Sequence, residues 1–427
     1  MVYYKCMKFV SLGNPDDVVS FQEALSRGIP PDGSLYYPVE IPRLSAEQIA
    51  SLPSLDTKAI DQLILTAWLG DEIPADDLMA IVDRAATFET PCVEVADKHV
   101  LELFHGLTMA FKDVAARYLA ALMGYFNAKT GRTSTVLVAT SGDTGGAIAH
   151  GFGDVERTKV VVLYPKGRVS QLQQEQLRRV AANVQTLEVD GDFDACQALV
   201  KQALADTALV EKVGLTSANS ITVGRLLPQM LYYARAFAQL GGRNDLRFVP
   251  PCGNLGNITG GVLAQQTGIP IVSFLAANNA NNAIDRYAHS GTFTPFEAVP
   301  TMSNAMDIGA PNNLPRLQRI FGGDIEAFRS DIQTAHVTDE QTIATIKKVY
   351  ADTGYLLDPH TAVAWYASEQ QPASGQHDVI VSTAAPMKFA EEIERATGIV
   401  VDNSEELEKL RQTPERYSEI ANSLDEL

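Results

Sequence analysis

A lysine near a helix start, followed along the chain by two glycine-rich loops, is where this sequence concentrates its chemistry. The lysine closes the run Glu102-Leu103-Phe104-His105-Gly106-Leu107-Thr108-Met109-Ala110-Phe111-Lys112-Asp113. Apolar residues recur at 111, 114, 115, 118, 119, 122 and 126, the spacing of a buried helix face, so Lys112 falls near the first turn of that helix. The partial positive charge of a helix N-terminus disfavours an ammonium there. With burial added, the amine becomes a neutral nucleophile suited to imine chemistry. By spacing alone the commoner arrangement is a surface lysine paired with Asp113, or one laid along the apolar face with its head in water.

The first loop is Thr140-Ser141-Gly142-Asp143-Thr144-Gly145-Gly146, between a β-rich run and the helical run Ala147-Ile148-Ala149-His150. The second is Pro250-Pro251-Cys252-Gly253-Asn254-Leu255-Gly256-Asn257, ahead of a helix-like stretch from Ile258 to Gln265. Glycine lets the backbone turn tightly and approach a ligand, and the free amides of a helix start favour anions. The hydroxyls of Thr140, Ser141 and Thr144 add donors to the first cradle. Taken singly, each loop also reads as an ordinary strand-to-helix turn. Neither is a Walker loop or a GxGxxG fingerprint. An imine-forming lysine and two anion cradles together suit a phosphorylated cofactor meeting a phosphorylated substrate.

The elements that must position these groups follow from periodicity. Short apolar runs at Val136-Leu137-Val138-Ala139, Val160-Val161-Val162-Leu163-Tyr164, Arg247-Phe248-Val249, Ile271-Val272-Ser273-Phe274-Leu275 and Val379-Ile380-Val381 alternate with helical stretches such as Val114 to Phe126 and Ile221 to Gln239. Strands buried on both faces between helices imply an α/β fold with two parallel sheets. We expect three parts: a mainly helical N-terminal lobe over 1–95, an α/β domain over 96–240 with the lysine and first loop, and an α/β domain over 241–427 with the second loop. In the lobe, Pro74, Asp76 and Asp77 open the helical run Leu78 to Phe88.

The chain has 427 residues, too many for one ordinary core, and is 46% hydrophobic and 20% charged. Its 34 basic against 52 acidic residues, a net charge of −18, argue against nucleic acid or an anionic membrane as a partner. Cys6, Cys92, Cys196 and Cys252 form no CxxC pair, which suits a reducing compartment. With no long apolar run at the start, a cytoplasmic enzyme is expected. No metal site is expected: His150 and His360 lack an i, i+4 partner and suit core or capping roles, and no calcium-loop spacing follows Asp192 and Asp194. His105 is read as orienting backbone, and Glu405-Glu406-Leu407-Glu408 as part of a solvated helix.

The residues resemble the threonine synthase family. The similarity runs through His105-Gly106, Thr108, Ala110-Phe111-Lys112-Asp113, Thr140-Ser141-Gly142-Asp143-Thr144-Gly145, Gly253-Asn254 and Gly256. It continues through Ser217-Ala218-Asn219-Ser220-Ile221 with Arg225, Ser303-Asn304-Ala305-Met306-Asp307, Pro311-Asn312-Asn313 and Pro359-His360. Ser20-Phe21-Gln22-Glu23-Ala24 and Gly33-Ser34-Leu35-Tyr36-Tyr37-Pro38 extend it to the N-terminal lobe. Departures are Leu107 in place of the usual proline, Asn257 in place of an acidic residue, and Ala385 in place of a histidine within Ser382-Thr383-Ala384-Ala385-Pro386-Met387-Lys388-Phe389.

The resemblance implies pyridoxal-phosphate fold type II, two αβα domains with an N-terminal lobe, and pyridoxal 5′-phosphate held by Lys112 as a Schiff base. It implies Gly253, Asn254, Leu255, Gly256 and Asn257 around the cofactor phosphate, Asp143 near the ring hydroxyl and Thr383 at the pyridine nitrogen. The implied substrate is O-phospho-L-homoserine, its phosphate met by Arg225 with Thr140, Ser141, Thr144, Asn219 and Ser220. No obligate protein partner is implied. The competing expectations are a related lyase or dehydratase that releases 2-oxobutyrate, and a non-catalytic binding relative.

Overall fold

A computed structural model describes residues 7–140 and 142–427. Cys6 and Ser141 lie outside the described residues.

Two sheets carry the molecule, and five of their eleven strands contain the apolar runs that the sequence marks. Strands Ser134–Ala139, Thr158–Pro165, Val184–Val189, Leu215–Ser217 and Tyr417–Ile420 form a five-stranded parallel sheet. Lys98–Glu102, Leu246–Val249, Ile271–Asn278, Ile332–His336 and His377–Ser382 are the parallel strands of a second sheet. Cys92–Val95 adds a sixth, antiparallel strand at its edge. Helices pack against these sheets, so central strands such as Val379, Ile380 and Val381 have no exposed surface.

Chain order does not follow the sheets. The hairpin over 92–102 pairs with His377–Ser382, with Val379 opposite His99 and Ile380 opposite Val100. Near the C-terminus, Tyr417–Ile420 crosses back to pair with Val184–Val189. The expected single helix from Ile221 to Gln239 is two helices, Val223–Leu226 and Gln229–Gln239. Pro228 separates them, since it has no N–H to donate and its ring obstructs the preceding turn. The N-terminal lobe has the expected helices, but also a three-stranded antiparallel sheet of Lys8–Ser11, Val18–Ser20 and Tyr36–Pro38.

The lobe is joined to the rest through buried charge. Asp61, on helix Thr57–Leu69, accepts from Arg235 Nε at 2.9 Å and from the hydroxyl of Tyr118. Tyr118 lies on helix Lys112–Thr130, which begins at the lysine singled out above and ends at Gly131 in the left-handed conformation. Among the described residues, no helix is long and apolar enough to cross a membrane.

Candidate active site

Five connections leave the C-terminal ends of parallel strands and converge, the general place for a ligand crevice in such sheets. They follow Glu102, Ala139, Ser217, Val249 and Ser382, and carry Lys112, Asp143, Asn219, the 253–257 loop and Thr383. The segment before Lys112 is held on both sides. Phe111 N donates to Thr383 O at 2.8 Å and Ala385 N to Met109 O at 3.0 Å. Asp113 accepts from Thr108 N at 2.7 Å and from Thr108 Oγ1 at 2.5 Å. Lys112 is the first residue of its helix, as its spacing predicts.

The Lys112 side chain is 15% exposed, and its Nζ lies 3.5 Å from Asp143 Oδ2. Burial lowers the proton affinity of this amine; Asp143 opposes that, while Lys388 and Arg225 lower it further. Asp143 stands at the start of helix Asp143–Gly151. Its other oxygen accepts from Lys388 Nζ at 2.8 Å and from Gln173 Nε2 at 2.9 Å. Burial alone would raise this carboxyl, but Lys388 and then Lys112 hold it well below the usual carboxylate range. Lys388, Gln173 and Gln176 escaped the sequence reading; their signal is contact across the fold, which residue spacing does not carry.

In the first loop, Thr140 is buried and its hydroxyl oxygen accepts from Gly142 N at 3.0 Å and Gly145 N at 2.8 Å. Thr140 therefore shapes the loop from within, and only its single proton is left for a ligand. Gly142 has φ of 142°, and a Cβ there would meet the Gln173 side chain at 2.6 Å. Thr144 is half-buried in the first helical turn.

The second loop passes through Leu255 at φ 62° into helix Gly256–Thr267, whose N-terminus has no side-chain cap. The amides of its first turn are thus available to an anion. A Cβ on Gly253 would come within 2.8 Å of Met306 Cα, so the loop needs glycine. Asn254 Nδ2 donates to Ser220 Oγ at 2.6 Å, and Asn254 Oδ1 accepts from Asn312 N at 2.6 Å. This link ties the 253–257 loop to the segment at Ser220. Asn257 accepts from the Tyr233 hydroxyl at 2.6 Å.

Arg225 lies on the short helix Val223–Leu226 and is buried. Its Nη1 donates to Ala218 O at 3.0 Å, and burial lowers its proton affinity to about 10. Arg225 makes no ion pair among the described residues; Tyr232 and Asp113 act on it only through longer-range fields. Among the described residues, Arg225 Nε, Asn219 Oδ1 and Asn257 Nδ2 are buried polar atoms with no hydrogen-bond partner. Such groups are costly unless a ligand satisfies them. With the uncapped helix and the Lys112 amine, Arg225 Nε and Asn257 Nδ2 form a donor set that fits a phosphorylated aldehyde cofactor and a second anion, while Asn219 Oδ1 is left to accept.

The remaining candidates have local partners. His105 Nε2 contacts Glu102 Oε2 at 2.6 Å. His360 lies 2.9 Å from Asp358 Oδ1 and accepts from Ala305 N at 3.2 Å, and Asp192 caps helix Phe193–Ala205. Among the described residues, no cluster of three metal-ligating side chains occurs. Leu107 is 60% exposed, whereas Ala385 is buried.

Comparisons with known proteins agree along the chain. A model described as threonine synthase N terminus matches residues 8–86, one described as pyridoxal-phosphate dependent enzyme matches 88–384, and one described as threonine synthase, C-terminal matches 361–427. The threonine synthase of Escherichia coli (strain K12) is 40% identical, over 96% of this chain and 95% of that protein. The structure of PLP-bound threonine synthase from Brucella melitensis superposes with a TM-score of 0.93 at 35% identity, covering 98% of this chain and 97% of that one. Threonine deaminase isoform 2 from Solanum lycopersicum, at 17% identity and TM-score 0.57 over 84% of this chain and 91% of that one, shares the fold alone.

Proposed function

The chain belongs to the threonine synthase family and is a pyridoxal-phosphate-dependent lyase, and from that premise we propose that Lys112 holds the cofactor and then moves protons while O-phospho-L-homoserine and water become L-threonine and phosphate. The single observation that carries this reading is the largely buried Lys112 amine, 3.5 Å from Asp143 of the first loop.

Gly253, Asn254, Leu255, Gly256 and Asn257 would hold the cofactor phosphate, Asp143 would face the ring hydroxyl and Thr383 the ring nitrogen. The bound cofactor supplies an electron sink that stabilises negative charge at the substrate carbon. The protein supplies the proton traffic. Protons must leave Cα and Cβ, phosphate must leave Cγ, and protons must return to Cγ and Cα while water adds at Cβ. Once substrate amine has taken its place, the freed Lys112 Nζ is the base in reach of these carbons. Its depressed proton affinity suits that work near neutral pH. Arg225, Asn219 and Ser220, with Thr144 and Ser141, would receive the substrate phosphate; Arg225 Nε supports this as an unsatisfied buried donor. Thr140 contributes through the shape of its loop. The three described cysteines are free thiols, in keeping with a cytoplasmic setting.

The test is product analysis on O-phospho-L-homoserine beside a Lys112→Ala variant. Threonine and phosphate in equal amounts, lost in the variant, are expected. Release of 2-oxobutyrate without threonine would overturn the reading in favour of the related lyase.

A further inference from the structure

The Lys388 side chain has no exposed surface, yet it belongs to neither loop. Its Nζ meets three acceptors, Thr108 O at 2.6 Å, Asp143 Oδ1 at 2.8 Å and Gln176 Oε1 at 3.2 Å. Gln176 is oriented by donating its own Nε2 to Thr108 O at 3.3 Å. Three acceptors call for three N–H bonds, which only the ammonium offers. The charge is therefore fixed in place by the short helical turn Pro386–Phe389 that follows Thr383.

We propose that Lys388 is a positioning residue: its ammonium occupies Oδ1 of Asp143, so that this carboxylate orients the Lys112 amine without keeping it protonated. A buried carboxylate facing Lys112 alone would bind the proton that the amine must lose before it can attack an aldehyde or accept a substrate proton. With Lys388 on its other oxygen, the negative charge of Asp143 is already matched. The groups acting on Lys112 are Asp143, which favours its cation, and Lys388 and Arg225, which disfavour it. On the far side, Lys388 also acts on Asp113 and His150. Removing Lys388 thus leaves Asp143 to hold the Lys112 proton.

This inference rests on Lys112 being the reactive amine. It is tested on the full chain stripped of cofactor, by the rate at which added pyridoxal 5′-phosphate is captured as pH is varied, followed by absorbance. Lys388→Met is expected to move the midpoint of this rate profile up by about one pH unit or more, and Lys388→Arg to leave it near that of the unaltered protein. Gln176→Glu, which draws the ammonium towards a new carboxylate, should also raise the midpoint, and decides the matter if Lys388→Met does not fold by circular dichroism. A folded Lys388→Met, or in its place a folded Gln176→Glu, with an unchanged midpoint overturns the role of Lys388. Capture that survives Lys112→Ala overturns both this inference and the reading beneath it.

Discussion

Arg316 donates through Nε to the main-chain carbonyl of Tyr36 at 3.0 Å, and so ties the N-terminal lobe to the loops that build the crevice. Its other nitrogens donate to Asn313 Oδ1 at 2.8 Å and Ile221 O at 2.6 Å, and Asn313 Nδ2 donates onward to Asn254 O at 3.0 Å. The guanidinium is fully buried, and among the described residues none of its hydrogen-bond acceptors is a carboxylate. Burial lowers its proton affinity to about 9. Carbonyl and amide oxygens stand in for a counter-charge. Arg316→Met would leave several of them buried without a donor, at about 1–3 kcal/mol each. Allowing for relaxation, the unfolding free energy in a urea titration should fall by about 3 kcal/mol. A fall below about 1 kcal/mol would mean that the carbonyls find other donors.

Gly253 is expected to set cofactor affinity. A methyl group there would meet Met306 Cα and Ala305 O, which are backbone atoms that cannot rotate away. Either the loop or the 304–306 turn must shift, and overpacking of this kind costs about 1–3 kcal/mol. Gly253→Ala should therefore weaken pyridoxal phosphate binding by roughly 10- to 100-fold in an equilibrium titration, and lower the unfolding free energy in urea by about 1–3 kcal/mol. Unchanged affinity would remove this loop from the cofactor site.

These two sites differ in how far the sequence announces them. Gly253 lies in a glycine run between a strand and a helix, a local pattern with a local cause. The strands at 134–139, 158–165 and 271–278 were equally legible, because unbroken apolar runs mark strands covered on both faces. Val184–Val189 was not, since Thr186 and Glu188 interrupt it. Glu188 is buried there only because Arg178 Nη2 reaches it at 2.9 Å, a partner that periodicity cannot supply. The same limit hid Lys388 and Arg316. Each is a buried cation whose key acceptors, Thr108 O for Lys388 and Tyr36 O for Arg316, come from segments far away in sequence. Strand neighbours can also be long-range, which spacing does not show: the hairpin at 92–102 pairs with His377–Ser382 and the strand at 417–420 with Val184–Val189.

His150 should make stability fall in mild acid. Burial lowers its proton affinity below the ordinary 6.5, opposed by its hydrogen bond to Gln176 O, while Lys388 lowers it further. In the folded protein the ring thus stays neutral to lower pH than in the unfolded chain. Below about pH 6.5 the unfolded chain takes up a proton that the fold refuses, so stability is lost as pH falls. His150→Leu removes this contribution. Urea unfolding at pH values from about 7.5 to 5.5 should show a shallower loss for the variant, whatever its absolute stability. Equal slopes would mean that His150 protonates freely in the fold.

Arg225 offers the sharpest separation of substrate binding from cofactor chemistry. One arm, Nη1, is spent on Ala218 O, while Nε is buried without a partner. A hydrogen bond from a charged donor contributes about 1.5–3 kcal/mol, so Arg225→Gln should lower kcat/KM for O-phospho-L-homoserine by roughly 10- to 150-fold. Arg225→Lys keeps the charge but not the planar fork, and should fall between the two. Arg225 also disfavours the cation of Lys112, so its loss has a second route to lower activity. The two routes part when the ligand lacks phosphate. If Arg225 meets the substrate phosphate, binding of L-threonine to the holoenzyme, read from the cofactor absorbance at saturating pH, should be nearly unchanged in Arg225→Gln. Equal weakening of threonine and phosphohomoserine would instead assign Arg225 to the Lys112 amine alone, and the substrate phosphate would have to rest on the helix amides at Asp143 and Thr144.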